Sequence, residues 1–293
     1  MTASTIGFIG LGLMGEGFTR RLVESGFRVT GYDVVAEKTR AAAGHGVVAA
    51  ASPAEVARAS DVVLVCVTST HAVEEAVFGP GGIAEVPGAG KVLVDHSTTE
   101  IEATKQFAQA LAERSGMAWV DAPVSGGPGA ALAGTLAIMA GGDAAAIARV
   151  EPVMAKLAAR FTHMGPVGAG QVTKMINQVL VLTNYCVIAE ALRLGEKCGV
   201  DVARIPEALA SGHAGSNLLR DLTPRMVARD FAPRGFARQI LKDLDMVHDL
   251  AKEMKAPTPM AAQATSLFRL LVARGHAELD GSAILKLYLD EPV

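Results

Sequence analysis

Cysteine is rare: Cys66, Cys186 and Cys198 are three in 293 residues, an odd number with no CxxC spacing. That excludes a disulfide framework and suits a compartment where thiols stay reduced, so a cytoplasmic protein is expected. Aromatic residues are few as well, one Trp, three Tyr and nine Phe, which offers no stacking platform for bases. Neither sign of charge dominates: 27 Lys and Arg against 30 Asp and Glu leave a net charge of -3. Nucleic acid is therefore not an expected partner. The opening MTASTIGFIG has no basic stretch followed by an apolar run and a cleavage site, so no export signal is expected. Seven histidines occur without His-x-His, HExxH or a His/Cys cluster, and Gly-x-Ser-x-Gly is missing. Neither a protein-bound metal nor a hydrolase elbow is expected.

Long apolar runs are scarce too. The most apolar long stretch without formal charge is Met175 to Ala189, flanked by Lys174 and Glu190 and carrying Asn177, Gln178 and Asn184. A spanning helix needs about 20 apolar residues. This stretch is shorter, so it reads as a buried central helix rather than a membrane span.

What is present is the composition of a compact enzyme-like globule, 50% apolar and 19% charged. Up to about residue 165, β-branched runs alternate with helical patterns, the signature of an α/β fold with parallel strands joined by crossover helices. Strands are expected at Ile6 to Ile9, Arg28 to Tyr32, Val47 to Ala49, Val62 to Val67, Val92 to Val94, Ala118 to Val120, Leu136 to Met139 and Phe161 to His163. Ser52-Pro53-Ala54-Glu55 reads as a capping box that starts a helix. Beyond His163 no convincing strand follows. A long helix from about Ala169 to Lys197 is expected to link the halves, with further helices near Val202 to Ala210, Asn217 to Ala228, Ala237 to Met254, Pro259 to Arg274 and Ser282 to Leu289. The expected division is 1–165, a dinucleotide-binding sheet domain, and 166–293, an all-helical domain.

Gly10-Leu11-Gly12-Leu13-Met14-Gly15 places G-x-G-x-x-G directly after the first strand and at the start of a helix. The first glycine permits the tight turn, the second lets backbone approach a pyrophosphate, and the third lets helix and strand pack closely. Asp33 ends the second strand 18 residues beyond Gly15, where a carboxylate would bond a ribose hydroxyl and repel a 2′-phosphate. NAD is expected over NADP, with Lys38 and Arg40 keeping NADP open. The plainer readings are a ligand-free tight turn and an ordinary strand-end aspartate.

Ser125, Gly126 and Gly127 follow a strand, and their backbone N–H groups can form a nest for a carboxylate; a flexible turn is the plainer reading. Lys174, Asn177 and Gln178 stand at i, i+3 and i+4 and share one helix face. Lys174 lies near the helix start, where burial and the helix dipole disfavour an ammonium and suit proton transfer. A solvated lysine beside polar surface residues is the plainer alternative, and Lys242-Asp243 reads as a surface pair.

With these motifs in place, the chain resembles the β-hydroxyacid dehydrogenase family, which includes 3-hydroxyisobutyrate dehydrogenases and 2-hydroxy-3-oxopropionate (tartronate semialdehyde) reductases. The resemblance spans nearly the whole chain. Its markers are GFIGLGLMG from Gly7, DAPVSGGPGAALAGTLAIMAGG from Asp121 to Gly142, GAGQVTKMINQ from Gly168 to Gln178, and LKDL from Leu241. It implies a Rossmann domain, an all-helical domain, an active site in the cleft, and two or four subunits. It also implies proton transfer by Lys174, substrate binding by Ser125, Gly126 and Gly127, substrate orientation by Asn177 and Gln178, and cofactor contacts by Gly10, Gly12, Leu13, Met14, Gly15, Val67, Thr68, Ser97, Thr98 and Lys242. The substrate it implies is a small β-hydroxyacid or its semialdehyde.

Departures from the family pattern bear on the substrate. Asn177-Gln178 stands where many members carry Asn-Asn and is more like the tartronate semialdehyde reductases; Thr68 and Gly17-Phe18 replace usual Pro and Pro-Met. Phe231 to Gln239 fits the common FxPGF pattern only with a shift. Other readings are a phosphorylated-sugar-acid dehydrogenase drawing on Arg220, Arg225, Arg234 and Arg238, an imine reductase, and a dinucleotide-binding module without turnover.

Overall fold

The computed structural model describes residues 5–289, so the reading of residues 1–4 as free of an export signal lies outside the described residues. The chain divides into two compact units, one ending at Lys174 and one beginning at Met175.

Among the described residues the first unit contains nine strands: β1 (Ile6–Ile9), β2 (Val29–Tyr32), β3 (Val48–Ala49), β4 (Val62–Val65), β5 (Val92–Asp95), β6 (Ala118–Asp121), β7 (Val124–Ser125), β8 (Leu136–Gly142) and β9 (Ala158–Gly165). Between them run α1 (Leu13–Glu24), α2 (Ala36–Ala43), α3 (Pro53–Arg58), α4 (Thr70–Phe78), α5 (Ile101–Ser115), α6 (Gly127–Ala133) and α7 (Ala144–Leu157). The sheet order is β3-β2-β1-β4-β5-β6-β8-β7, with β9 beside β8. Its first six strands are parallel, in the order of a dinucleotide-binding sheet.

Both faces of this sheet are covered, which is why its central strands are apolar without alternation. Val62 and Leu64 of β4 join one core cluster with Phe8, Phe18 and Val94, while Val63 and Val65 join the other with Ile9, Leu93 and Trp119. Sequence patterning placed the strands within a few residues. It missed β7, two residues long, and the direction of β8, which runs antiparallel to β6 and β7. Neither leaves a pattern in the apolar residues, because a short edge strand and a reversed one bury the same residue types. The capping box at α3 forms with one difference: Ser52 accepts from Glu55 N, but the Glu55 carboxylate reaches Ala51 N.

The long helix α8 (Ala169–Lys197) crosses from one unit into the other. The second unit continues with α9 (Ile205–Ala208), α10 (Asn217–Ala228), α11 (Ala237–Glu253) and α12 (Pro259–Leu271). Leu182, Ala189 and Leu192 pack with Leu222, Met226, Leu244 and Phe268 in its core. The expected helix to Arg274 ends early in a π-turn over Val272–His276, broken at Gly275 with φ +85°, and the last helix is a 3₁₀ helix over Gly281–Tyr288. The expectation of a helix buried all round is corrected for α8. It is long and apolar enough to cross a membrane by length and composition, yet only 39% of its most apolar window is buried.

Backbone approach controls the turn after β1. Gly10 has φ +96°, and a Cβ there would lie 2.2 Å from Cys66 O; a Cβ on Gly15 would lie 2.0 Å from Gly10 O. Gly15→Ala should therefore destabilise the fold by about 1–3 kcal/mol, because the obstructing atoms are backbone and cannot swing aside. Thermal unfolding of the variant checks this, and an unchanged Tm would refute the packing argument.

Candidate active site

The cofactor loop is built as the glycine spacing demands. Gly12 caps α1 with no side chain satisfying the helix N-terminus, and a Cβ there would meet only Lys38 Nζ, at 3.9 Å. The cradle is open where a pyrophosphate needs backbone N–H groups, so the residues present fit a dinucleotide. Leu13 is exposed and Met14 half-buried at its rim. Asp33 is nearly buried, and its carboxylate accepts from Leu11 N at 2.8 Å and from Val35 N at 2.8 Å, so it holds the loop as well as closing the strand. Lys38 Nζ sits 3.8 Å from Asp33 Oδ1, and Arg40 pairs with Glu37.

Later strand ends extend the same surface. Cys66 O packs against Gly10, Val67 N donates to Ser97 Oγ at 2.9 Å, and Thr68 is exposed. Thr98, beside Ser97, is half-buried. Burial pushes the Cys66 thiol up to about 12, with the Asp95 carboxylate acting in the same sense and Lys174 opposing it.

Lys174 is 8% exposed, and its Nζ donates to Val124 O at 2.8 Å. The solvated-lysine reading is thereby overturned. Val124 begins the loop expected to hold substrate, where Ser125 pairs with Ala137 of β8 and Gly126 and Gly127 adopt positive φ of 129° and 71°. A Cβ on Gly127 would meet nothing within 4 Å, so its backbone faces open space. Gly17 explains one departure from the family pattern: a Cβ there would lie 2.9 Å from Pro128 O, so glycine lets α1 close against α6, directly after this loop. Phe18 fills the neighbouring space and stacks on His96, with ring centroids 4.9 Å apart. His96 donates from Nδ1 to Ala122 O at 2.7 Å, and burial pushes it down to about 4, so it is neutral.

Sequence reasoning missed what holds Lys174 in place. Asp121, fully buried at the end of β6, accepts from Gly168 N at 2.8 Å and Gln171 N at 2.9 Å. It thus supplies the acceptor that the first turn of α8 needs. Gln171, also fully buried, donates to Ser97 O at 2.9 Å and accepts from Thr99 N at 3.2 Å. Gly170 permits the approach, since a Cβ there would meet Asp121 O at 2.6 Å. The available signal was an aspartate at a strand end, a position shared by Asp33, Asp95 and Asp121.

Three predicted residues belong to the second unit and are grouped there. Asn177 Nδ2 donates to Gln178 Oε1 at 2.8 Å, Gln178 Nε2 donates to Asp243 Oδ2, and Lys242 Nζ lies 3.0 Å from Asp243 Oδ1. Asp243 is therefore more than half of a surface pair. The divergent loop from Phe231 is held by buried Asp280, which accepts from Arg225 Nη1, Arg234 N and Gly235 N. Arg225 is committed to that ion pair, Arg220 to Asn217 and Arg238 to Glu278, so three of the four arginines named for a substrate phosphate already have partners.

Asp95 and Asp121 lie side by side in the β5–β6 register. Burial lifts Asp95 to about 7, with Asp121 adding to the rise and Ser97 and Thr99 opposing it; burial lifts Asp121 to about 6 against its backbone hydrogen bonds. A carboxyl with a raised folded pKa stabilises fully below its unfolded value, and that contribution is lost as pH rises through the folded value. These two groups should make Tm fall from about pH 4 to about pH 7, and Asp95→Asn, neutral throughout, should flatten the fall. Melting curves across that window test it; an equally steep decline in the variant would remove the assignment.

Residues 5–165 match the family profile described as the NAD binding domain of 6-phosphogluconate dehydrogenase, and residues 168–288 match the NAD-binding domain of NADP-dependent 3-hydroxyisobutyrate dehydrogenase. The chain is 37% identical to the 2-hydroxy-3-oxopropionate reductase of Escherichia coli, covering 96% of each protein. It is 35% identical to the 2-(hydroxymethyl)glutarate dehydrogenase of Eubacterium barkeri, over 97% of this chain and 94% of that one. The crystal structure of 3-hydroxyisobutyrate dehydrogenase from Salmonella typhimurium superposes with a TM-score of 0.89 at 29% identity, over 97% of this chain and 99% of the other. With a glycine-lined turn that fits a dinucleotide, two family profiles that together span nearly the whole chain and relatives matched over almost their full length, the chain belongs to the β-hydroxyacid dehydrogenase family of NAD(P)-dependent oxidoreductases acting on CH–OH groups.

Proposed function

We propose that this chain reduces a short 3-oxo acid, 2-hydroxy-3-oxopropionate (tartronate semialdehyde) by preference, or oxidises the corresponding β-hydroxyacid, using NAD rather than NADP. A 3-hydroxyisobutyrate dehydrogenase or another short-chain semialdehyde reductase is the alternative. The observation that carries the reading is Lys174: a buried amine that donates to Val124 O, at the root of the Ser125–Gly127 loop.

When bound, the nicotinamide supplies or accepts the hydride. Lys174 gives the carbonyl oxygen its proton in reduction and takes the hydroxyl proton in oxidation. Ser125, Gly126 and Gly127 hold the substrate carboxylate, while Asn177 and Gln178 orient it. Lys242 contacts the cofactor side, and Val67, Thr68, Ser97 and Thr98 line the cofactor beyond the glycine loop. NAD is favoured because Asp33 would repel a 2′-phosphate, and the nearby cations Lys38 and Arg40 already face carboxylates. A dinucleotide-holding module without turnover has no use for a buried lysine, since burying its polar end is costly. Three free cysteines support work in the reducing cytoplasm.

Lys174→Ala should lower kcat by about 10² to 10⁴ and leave cofactor affinity little changed. Steady-state rates with tartronate, methylmalonate and succinate semialdehydes and both nicotinamides check the substrate and cofactor together. Undiminished turnover in the variant would end the role of Lys174.

We also infer a homo-oligomer of two or four copies. Ile176, Leu180, Val187 and Leu194 are 57%, 61%, 46% and 67% exposed and recur along one side of α8, an apolar stripe that a second copy would cover. Light scattering should give the mass of at least two chains, and Leu180→Lys should reduce it. A native monomer would contradict the inference.

A further inference from the structure

Gln178 is 6% exposed, and both ends of its carboxamide are engaged: Nε2 donates to Asp243 Oδ2, and Oε1 accepts from Asn177 Nδ2. The direction of this chain of hydrogen bonds is set by chemistry. An ionised carboxylate only accepts, so Gln178 must offer its NH₂ to Asp243 and turn its carbonyl towards Asn177. Asn177 must in turn give one N–H to Gln178, which fixes the orientation of its carboxamide and leaves Oδ1 as its acceptor beside one remaining N–H. Lys242 Nζ, 3.0 Å from Asp243 Oδ1, holds the carboxylate at the head of the chain. All four residues lie in the second unit.

We propose that Asp243 is a positioning residue that sets the polarity of Asn177 and thereby the preference for a substrate carrying a hydrogen-bond donor, a hydroxyl rather than a methyl, on the carbon beside its carboxylate. This rests on the reading above that Asn177 orients the substrate. A site that presents a fixed acceptor disfavours the analogue without the donor, because the acceptor is then left unpaired. With Asp243 neutral, the amides of Gln178 and Asn177 are free to reverse, and the discrimination weakens. Asp243 does so through Gln178 and without touching the substrate.

The test compares 2-hydroxy-3-oxopropionate with 2-methyl-3-oxopropionate in the native chain, Asp243→Asn, Gln178→Leu and the double variant. Asp243→Asn should lower the hydroxy-to-methyl ratio of kcat/KM about tenfold, chiefly through KM for the hydroxylated acid, with kcat on the methyl acid changing less than about threefold. In the Gln178→Leu background the same substitution should shift the ratio no further. Equal losses on both acids, or an undiminished shift in that background, would overturn the proposal. A readout independent of turnover is the side-chain amide ¹⁵N–¹H signal of Asn177, assigned by its loss in Asn177→Leu. It should move on Asp243→Asn although the two residues do not touch, and a stationary signal would equally overturn the proposal. A native chain inactive on both acids would refute the substrate reading alone, since the amide signal still decides the polarity.

Discussion

One buried carboxylate sets the frame for the chemistry. Asp121 ends β6 and accepts from the first turn of α8, so the helix that carries Lys174 begins where the strand stops. Gln171 adds a second tie from the same turn to the loop after β5. The lysine is then delivered to Val124 O, three residues beyond Asp121 in the chain. A hydrogen bond to a charged acceptor is stronger than a neutral one, and a buried helix end without partners would be costly. Holding the amine through the main chain at both ends costs it little freedom of its own, which is what the proposed proton transfer needs.

This arrangement places two carboxyls, Asp95 and Asp121, side by side in a dry part of the sheet. Both are driven towards the protonated form by burial, and the surrounding hydroxyls and backbone N–H groups compensate only in part. The cost of burying them is local to the ends of β5 and β6. Positions of this kind give up some stability where geometry matters most.

The second unit uses an acid differently. Asp280 ties down a loop with Arg225, while Asp243 directs two amides in series. An amide has no polarity of its own to present until something decides which end points where. Paired with Lys242 on the next residue, the carboxylate makes that decision.

Local chemistry was legible in the residue order. The glycine spacing after an apolar strand specifies a turn only glycine can make, and the repeated β-branched runs specify a covered parallel sheet, because both depend on neighbours within a few residues. The start and end of α8 and the bounds of α10 were readable for the same reason. Contacts between distant residues were not. That Asp121 caps a helix 47 and 50 residues away, that Asp33 braces Leu11 as well as closing a strand, that β8 reverses, and that the long apolar helix is only partly buried all depend on which surfaces meet. Hydrophobic periodicity records whether a residue prefers to be buried; only the tertiary structure decides what it is buried against.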